Sequence, residues 1–389
     1  MDIRPPKPQI RPKTAPQRPL LPLDLPPVTH EGAPTSPTSP PLPSSKKKLK
    51  KPLILTLAVM LTLAVLAAAA VLWYSWALSP HGGQESTQRV AVASGDGLSS
   101  IGDDLEKRGL IRSSVAFQIY GRLHGDYRDI KAGGYIISNS QSVKTILDML
   151  TRGEHGTFRV TILPGMTVKQ LADPSVENSL ADQGYSQHEI EQAFDATYRS
   201  KLLADKPAGA SLEGYIYPET YQVSADETLQ DVFERTFDEL YSKLQRDGLL
   251  ERFSAQGLTL HQAITLASIV QKEVSNETDQ KQVAQVFLKR YKESMVLGSD
   301  VTFIYAAEQD GVTPTVDYDS PYNTRKYPGL PPGPIANMNY SALQAVANPA
   351  EGDFLYFVAG DDGHTYFSRT EAEHDAAVAA HCHVLCGLY

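Results

Sequence analysis

The chain has 389 residues, is 41% hydrophobic, carries a formal net charge of −9 and contains only two cysteines. That length and apolar content support more than one folded unit. The acidic balance argues against nucleic acid as a partner, and two cysteines near one end, Cys382 and Cys386, exclude a fold resting on a disulfide framework.

Residues 1–52 are crowded with proline and contain no Phe, Tyr or Trp. Such a segment buries too little apolar surface to offset its ordering entropy, so it is expected to be a disordered tail. Its ten Lys/Arg against three Asp/Glu give it +7, leaving −16 on the rest. The lysines cluster at Lys46 to Lys51, directly before an uncharged run of 26 residues from Leu53 to Leu78. At about 1.5 Å per residue such a run exceeds a hydrocarbon core of about 30 Å, so it predicts a single transmembrane helix. Trp73, Tyr74 and Trp76 lie at its far end, as interfacial aromatics do, and the lysines predict a cytoplasmic N-terminus. The run is too long and starts too late for a cleavable signal peptide. After a linker at 79–88, the remainder is expected outside the membrane.

Residues 89–157 read as a small α+β module. Arg89 to Ala93 is strand-like, and Leu98, Ile101 and Leu105 mark a short helix. Val115, Ile119 and Leu123 mark a second helix, and Gly133 to Ile137 a returning strand. This strand–helix–helix–strand order resembles the LysM glycan-binding module. A mere packing unit that spaces the next domain from the membrane is the other reading. A helix from Ser142 to Arg152 follows.

From 158 to 389 a larger mixed α+β domain is expected. Phe158 to Leu163 is a strand that turns at Pro164-Gly165 into a helix at Val168. Leu212 to Tyr221 packs three tyrosines, Tyr215, Tyr217 and Tyr221, and two carboxylates, Glu213 and Glu219, around a Gly and a Pro. Aromatic faces stack on sugars and carboxylates accept from their hydroxyls, although a strand edge of a core has the same composition. Residues 228–246 form an amphipathic helix.

The segment Gly257 to Glu273 carries the chemistry. Thr259 and Gln262 have the spacing of a capping box. Ala263, Leu266, Ala267 and Val270 recur at helical spacing, and Val274 continues the stripe. Glu273 falls on the flank of that stripe, with Lys272 and Thr265 on the opposite side. A partly desolvated carboxylate has a raised pKa and, once protonated, is a general acid. The plainer alternative is a rim Glu that reaches water or pairs with a cation. A second helix follows through Val283, Val286, Phe287, Arg290 and Tyr291. Leu297-Gly-Ser-Asp300, Ser320-Pro-Tyr-Asn-Thr324 and Gly329-Leu-Pro-Pro-Gly-Pro-Ile335 are loops stiffened by Pro and Gly. Phe354 to Val358 reads as a buried strand, paired across a turn at Gly360-Asp361 with Gly363 to Phe367. His381-Cys-His-Val-Leu-Cys386 has metal-ligand types but no second cluster to complete a shell, so no metal is expected.

In this order, Glu213-Gly-Tyr-Ile-Tyr-Pro-Glu-Thr-Tyr221, Ala267-Ser-Ile-Val-Gln-Lys-Glu273, Ser299-Asp300, Tyr322-Asn-Thr324, Gly329 to Ile335, Asn348-Pro349, Tyr356-Phe-Val358 and Gly363-His-Thr-Tyr-Phe367 resemble the MltG (YceG-like) family of membrane-anchored endolytic murein transglycosylases. The resemblance spans about residues 89–380 and the membrane segment. It implies that Glu273 is the catalytic acid, that no cofactor is needed, and that the substrate is peptidoglycan glycan cut at bonds between N-acetylmuramic acid and N-acetylglucosamine, giving 1,6-anhydro ends. It further implies work on nascent strands beside the membrane, limiting their length, in the company of penicillin-binding-protein synthases. Tyr322 and Asn323 are candidates for holding sugar or developing charge. Tyr215, Tyr217, Tyr221, Glu219, Ser299 and Asp300 are candidates for the groove. The family usually has Gln where Gly298 stands and Pro where Val301 stands. Two alternatives stay open: a hydrolytic muramidase using Glu273 with Asp300 or Glu219 as second acid, and a non-catalytic wall-binding scaffold of the synthesis machinery.

Overall fold

The computed structural model describes residues 51–124 and 126–384, excepting the side chains of residues 51–53 and 126–127. The proline-rich tail at 1–50 and Cys386 lie outside the described residues. The backbone contacts separate a short unit up to Leu63 from a larger one running from Ala64 to Tyr389.

The first unit holds the beginning of helix α1 (Lys51–Leu78), which continues into the second. Between Ile54 and Leu78 this helix is long and apolar enough to cross a membrane, with a mean hydropathy of 2.6, and its side chains up to Leu72 are exposed.

The larger unit has two apolar cores. The smaller is built by strand β1 (Thr87–Val92), helices α2 (Leu98–Lys107) and α3 (Ser114–His124), strand β2 (Gly133–Ser138) and helix α4 (Val143–Arg152). β1 and β2 pair antiparallel, with Val90 opposite Tyr135. The expected stripe of α2 is buried at Leu98, Ile101 and Leu105. The stripe assigned to α3 requires correction. Val115, Ile119 and Leu123 face solvent, and the helix instead buries Ala116, Phe117 and Gly121. Small residues let α3 lie close to α2: a Cβ on Gly121 would meet the Leu98 side chain at 2.9 Å. Close backbone approach won over the larger apolar face.

The larger core begins with β3 (Thr157–Thr161), α5 (Val168–Ala172) and α6 (Gln187–Asp195). β4 (Thr220–Ser224) pairs antiparallel with β3, Val160 opposite Tyr221. Helices α7 (Leu229–Arg246), α8 (Leu249–Ala255), α9 (Leu260–Glu273), α10 (Glu277–Lys292), α11 (Asp300–Asp310) and α12 (Tyr340–Ala347) follow. The chain closes with β5 (Tyr356–Ala359), β6 (Thr365–Ser368) and α13 (Glu371–His381). The β5–β6 hairpin pairs as expected, Phe357 opposite Phe367, but β5 is only partly buried. All four of its residues touch a cavity, and Phe357 also packs against the core.

α9 lies at the centre. Thr259 and Gln262 make the reciprocal cap read from the sequence. Helices α8, α10, α11 and α12 all pack on α9, so every residue from Ala263 to Val270 is buried. Thr265, expected on the open side, is therefore inside, its hydroxyl donating to the His261 carbonyl at 2.8 Å. Helical periodicity identifies one buried face, and a helix packed on all sides has none to spare. The proline-rich loop is pinned to α9: the Ile335 N–H donates to Ser268 Oγ at 3.0 Å. On the other side of that loop, a Cβ on Gly214 (φ +80°) would meet Pro334 at 2.4 Å. Only glycine fits there.

Candidate active site

Glu273 is the last residue of α9. Its carboxylate therefore stands at the negative end of the helix dipole, which disfavours its charged form. Ser299, just before α11, is buried and donates from Oγ to Glu273 Oε1 at 2.5 Å. Burial pushes the Glu273 carboxyl up to about 7; the Ser299 hydrogen bond pulls it down, nearby Asp300 pushes it up and Arg325 pulls it down. Near neutrality the group can thus give a proton and later take one back.

Ser299 is itself held by a network of threonines. Its N–H donates to Thr324 Oγ1 at 3.2 Å, and the Thr302 and Thr324 hydroxyls are 2.9 Å apart. The Gly298 N–H donates to the Thr324 carbonyl at 3.0 Å. Asp300, the first residue of α11, pairs with the Arg325 guanidinium. Glu273 opens onto a cavity of about 650 Å³, whose walls also include Arg290, Asp300, Arg325, Tyr356 and His374. β5 and α13 thus supply part of its wall. A cavity of this size holds a small ligand or one or two sugar rings of a longer one.

Residues 90–380 match the YceG-like family. The chain belongs to that family. It is 31% identical over 311 residues to the endolytic murein transglycosylase of Bacillus subtilis, covering 75% of this chain and 84% of that protein. The endolytic murein transglycosylase of Streptococcus pneumoniae is 29% identical over 323 residues, 75% of this chain, and the match spans only 58% of that longer protein. Among solved structures, a yceG-like protein of Listeria monocytogenes is 28% identical with a TM-score of 0.49, covering 75% of this chain and 99% of that one.

In this YceG-like chain the sequence candidates divide sharply. Glu273, Ser299 and Asp300 come together. Tyr215, Tyr217 and Tyr221 do not line the cavity; they are 1%, 4% and 5% exposed, within the large core. Their hydroxyls serve the fold: Tyr215 bonds His261 Nδ1 at 2.7 Å, Tyr221 donates to the Tyr217 carbonyl at 2.9 Å, and Lys243 donates to Tyr217 Oη at 3.1 Å. Glu219 is exposed and sits 3.7 Å from Lys243, away from the cavity. Asn323 is fully buried, its amide donating to the Val316 and Tyr318 carbonyls, both at 2.8 Å. It folds the loop that carries Thr324 and has no face for sugar. Tyr322 is partly buried against Tyr305, ring centres 5.2 Å apart, and lies outside the cavity wall.

Sequence reasoning missed Arg290, Arg325, Tyr356 and His374 as lining residues. It also missed that Thr302 and Thr324 position Ser299. A second perturbed acid, Glu213, is buried and accepts from the Val168 N–H and from Tyr305 Oη. Burial pushes it up to about 7, against the lowering effect of those bonds and of Lys272. It lies outside the Glu273 cavity and caps the start of α5. At the C-terminus, Cys382 is disulfide-bonded and is no thiolate ligand, and no cluster of three metal-ligating side chains occurs among the described residues.

Proposed function

We propose that this chain is a membrane-anchored lytic transglycosylase of peptidoglycan, cutting within glycan strands between N-acetylmuramic acid and N-acetylglucosamine. The observation that carries the proposal is Glu273: a carboxyl poised near neutrality on the wall of a cavity where Asp300 is paired with Arg325, with Glu371 and Asp375 contributed by α13. A hydrolase acting on a sugar bond normally uses two carboxylates, whereas intramolecular transfer can work with one, so the products and not the lining decide between them. The names of the relatives from Bacillus subtilis and Streptococcus pneumoniae support the same chemistry.

In the proposed reaction, protonated Glu273 donates to the glycosidic oxygen as the bond from C1 of the muramic residue breaks. The carboxylate so formed takes the proton of that residue's C6 hydroxyl, whose oxygen closes onto C1. The products are a 1,6-anhydro end and a free N-acetylglucosamine hydroxyl; water is neither consumed nor released. Ser299 keeps the carboxyl aimed through both proton transfers.

Helix α1 is read as a single anchor with its N-terminus in the cytoplasm, and the β1–β2 module as a LysM-like glycan holder at 89–157. The domain at 158–389 then works on nascent strands near the membrane, beside penicillin-binding-protein synthases, and limits strand length. The deciding experiment digests uncrosslinked glycan strands with the full chain and reads products by mass spectrometry. The expected products are lighter by one water than hydrolytic ones, and Glu273→Gln should lose at least 10³-fold in rate while melting normally. Hydrolytic masses, or turnover retained by the variant, would defeat the assignment.

A further inference from the structure

The wall that α13 contributes to the Glu273 cavity carries a group that the reaction above does not use. His374 stands in the first turn of α13 and lines the same cavity as Glu273. Its ring lies 5.3 Å from that of Tyr356, with the planes 24° apart. Tyr356 in turn has the Arg290 guanidinium 4.9 Å from its ring centre. Arg290 is fixed from behind, donating from Nε to the Leu355 carbonyl at 2.5 Å and from Nη1 to the Leu297 carbonyl at 2.8 Å. The imidazole is thus oriented by packing on a braced aromatic ring.

Its two nitrogens differ. Nδ1 is sealed from solvent and has no hydrogen-bond partner. Buried N–H groups without an acceptor are rarer than under-used lone pairs, so the ring hydrogen belongs on Nε2. The side chain as a whole is only partly buried on the cavity wall, which leaves Nε2 as the nitrogen able to meet a ligand. Burial lowers the pKa of His374; Arg290 and Arg325 lower it further, against the opposing pull of Asp375 and Glu371. The ring is then a neutral donor beside an aromatic face, which suits a neutral polyhydroxylated ligand better than an ion.

We propose that His374 is a substrate-contacting residue of the Glu273 site, donating from Nε2 to a hydroxyl or acetamido oxygen of a bound sugar. The chemical class of that ligand rests on the transglycosylase reading. The donor geometry stands independently of it. His374 takes no proton in the reaction; it fixes where the sugar lies relative to the acid.

The test measures binding of uncrosslinked peptidoglycan strands to the full chain in detergent, in the Glu273→Gln background, so that no turnover is required. His374→Ala, His374→Asn and His374→Gln are compared, with a thermal melt of each. The amide of Gln reaches about as far as Nε2, whereas that of Asn reaches only about as far as Nδ1. We expect Ala and Asn to weaken binding at least tenfold, and Gln to stay within threefold of the parent. Binding unchanged in Asn, or Gln as weak as Asn, would overturn the assignment, and the Asn–Gln pair decides even if Ala collapses the wall. Such a failure leaves the Glu273 chemistry untouched, while cleavage retained by Glu273→Gln would defeat that chemistry and not this contact.

Discussion

Three neighbours tune one carboxyl. Ser299 donates to Glu273, and removing it takes away a bond that favours the charged form. Ser299→Ala should therefore raise the Glu273 pKa further and move the alkaline limb of the kcat/KM profile to higher pH, by up to about one unit. Asp300→Asn removes a like charge and should move the same limb down. A pH–rate series on the two variants checks both signs, and shifts in the same direction would show that the neighbours do not act as described. Cap and stripe make the place of Glu273 at the end of α9 legible in sequence, while its role as an acid comes only with the family resemblance. The tyrosines were not, because sugar-stacking and core-filling aromatics have the same composition. Only the packing of α7 and α9 around Tyr215, Tyr217 and Tyr221 tells them apart.

Among the elements, α9 reads clearly from its residues and the cavity does not. Residue order gives helices and hairpins, but Arg290, Arg325, Tyr356 and His374 come from α10, a loop, β5 and α13, and nothing local says that they converge. The loop before α11 shows how one backbone position shapes that wall. Gly298 has φ +70°, and a Cβ there would stand 2.8 Å from Arg290 Nη1. Gly298→Ala should cost about 1–2 kcal/mol in backbone strain alone, read by urea denaturation, because L side chains disfavour this region. It should also weaken strand binding, since Arg290 must shift from beneath Tyr356. An unchanged denaturation midpoint would contradict the strain. The α3 face was misread for the opposite reason: its apolar stripe was visible, but the small residues opposite it decided the packing.

Across the larger unit, the two cores are joined by buried polar contacts. Arg89 of β1 is 7% exposed; it pairs with Glu189 at 2.9 Å, donates to the Ala225 carbonyl at 3.2 Å and lies 4.6 Å from the Tyr185 ring centre. Gly134 of β2 leaves no space at all there, since a Cβ would fall 1.7 Å from the Ala225 oxygen. Gly134→Ala should therefore uncouple the cores and split one thermal transition into two; a single transition would mean that they hold by other contacts. Glu213 gives a pH dependence of its own. Its folded pKa, about 7, lies above the 4.5 of an ordinary Glu, so between those values the folded state holds the extra proton. Stability should fall as pH rises across that window and level off above it, by about 3 kcal/mol at most. Glu213→Gln, measured by urea denaturation in the Glu273→Gln background, should flatten the fall; an unaltered slope would place the proton elsewhere.

One wall of the cavity is supplied by β5 and α13, far downstream of Glu273 in the chain. On a ribosome Glu273 emerges long before the strand and helix that share its cavity. A chain cut short before β5 would leave the proposed acid beside an incomplete groove, and such a truncation should bind no glycan strand even if α9 folds.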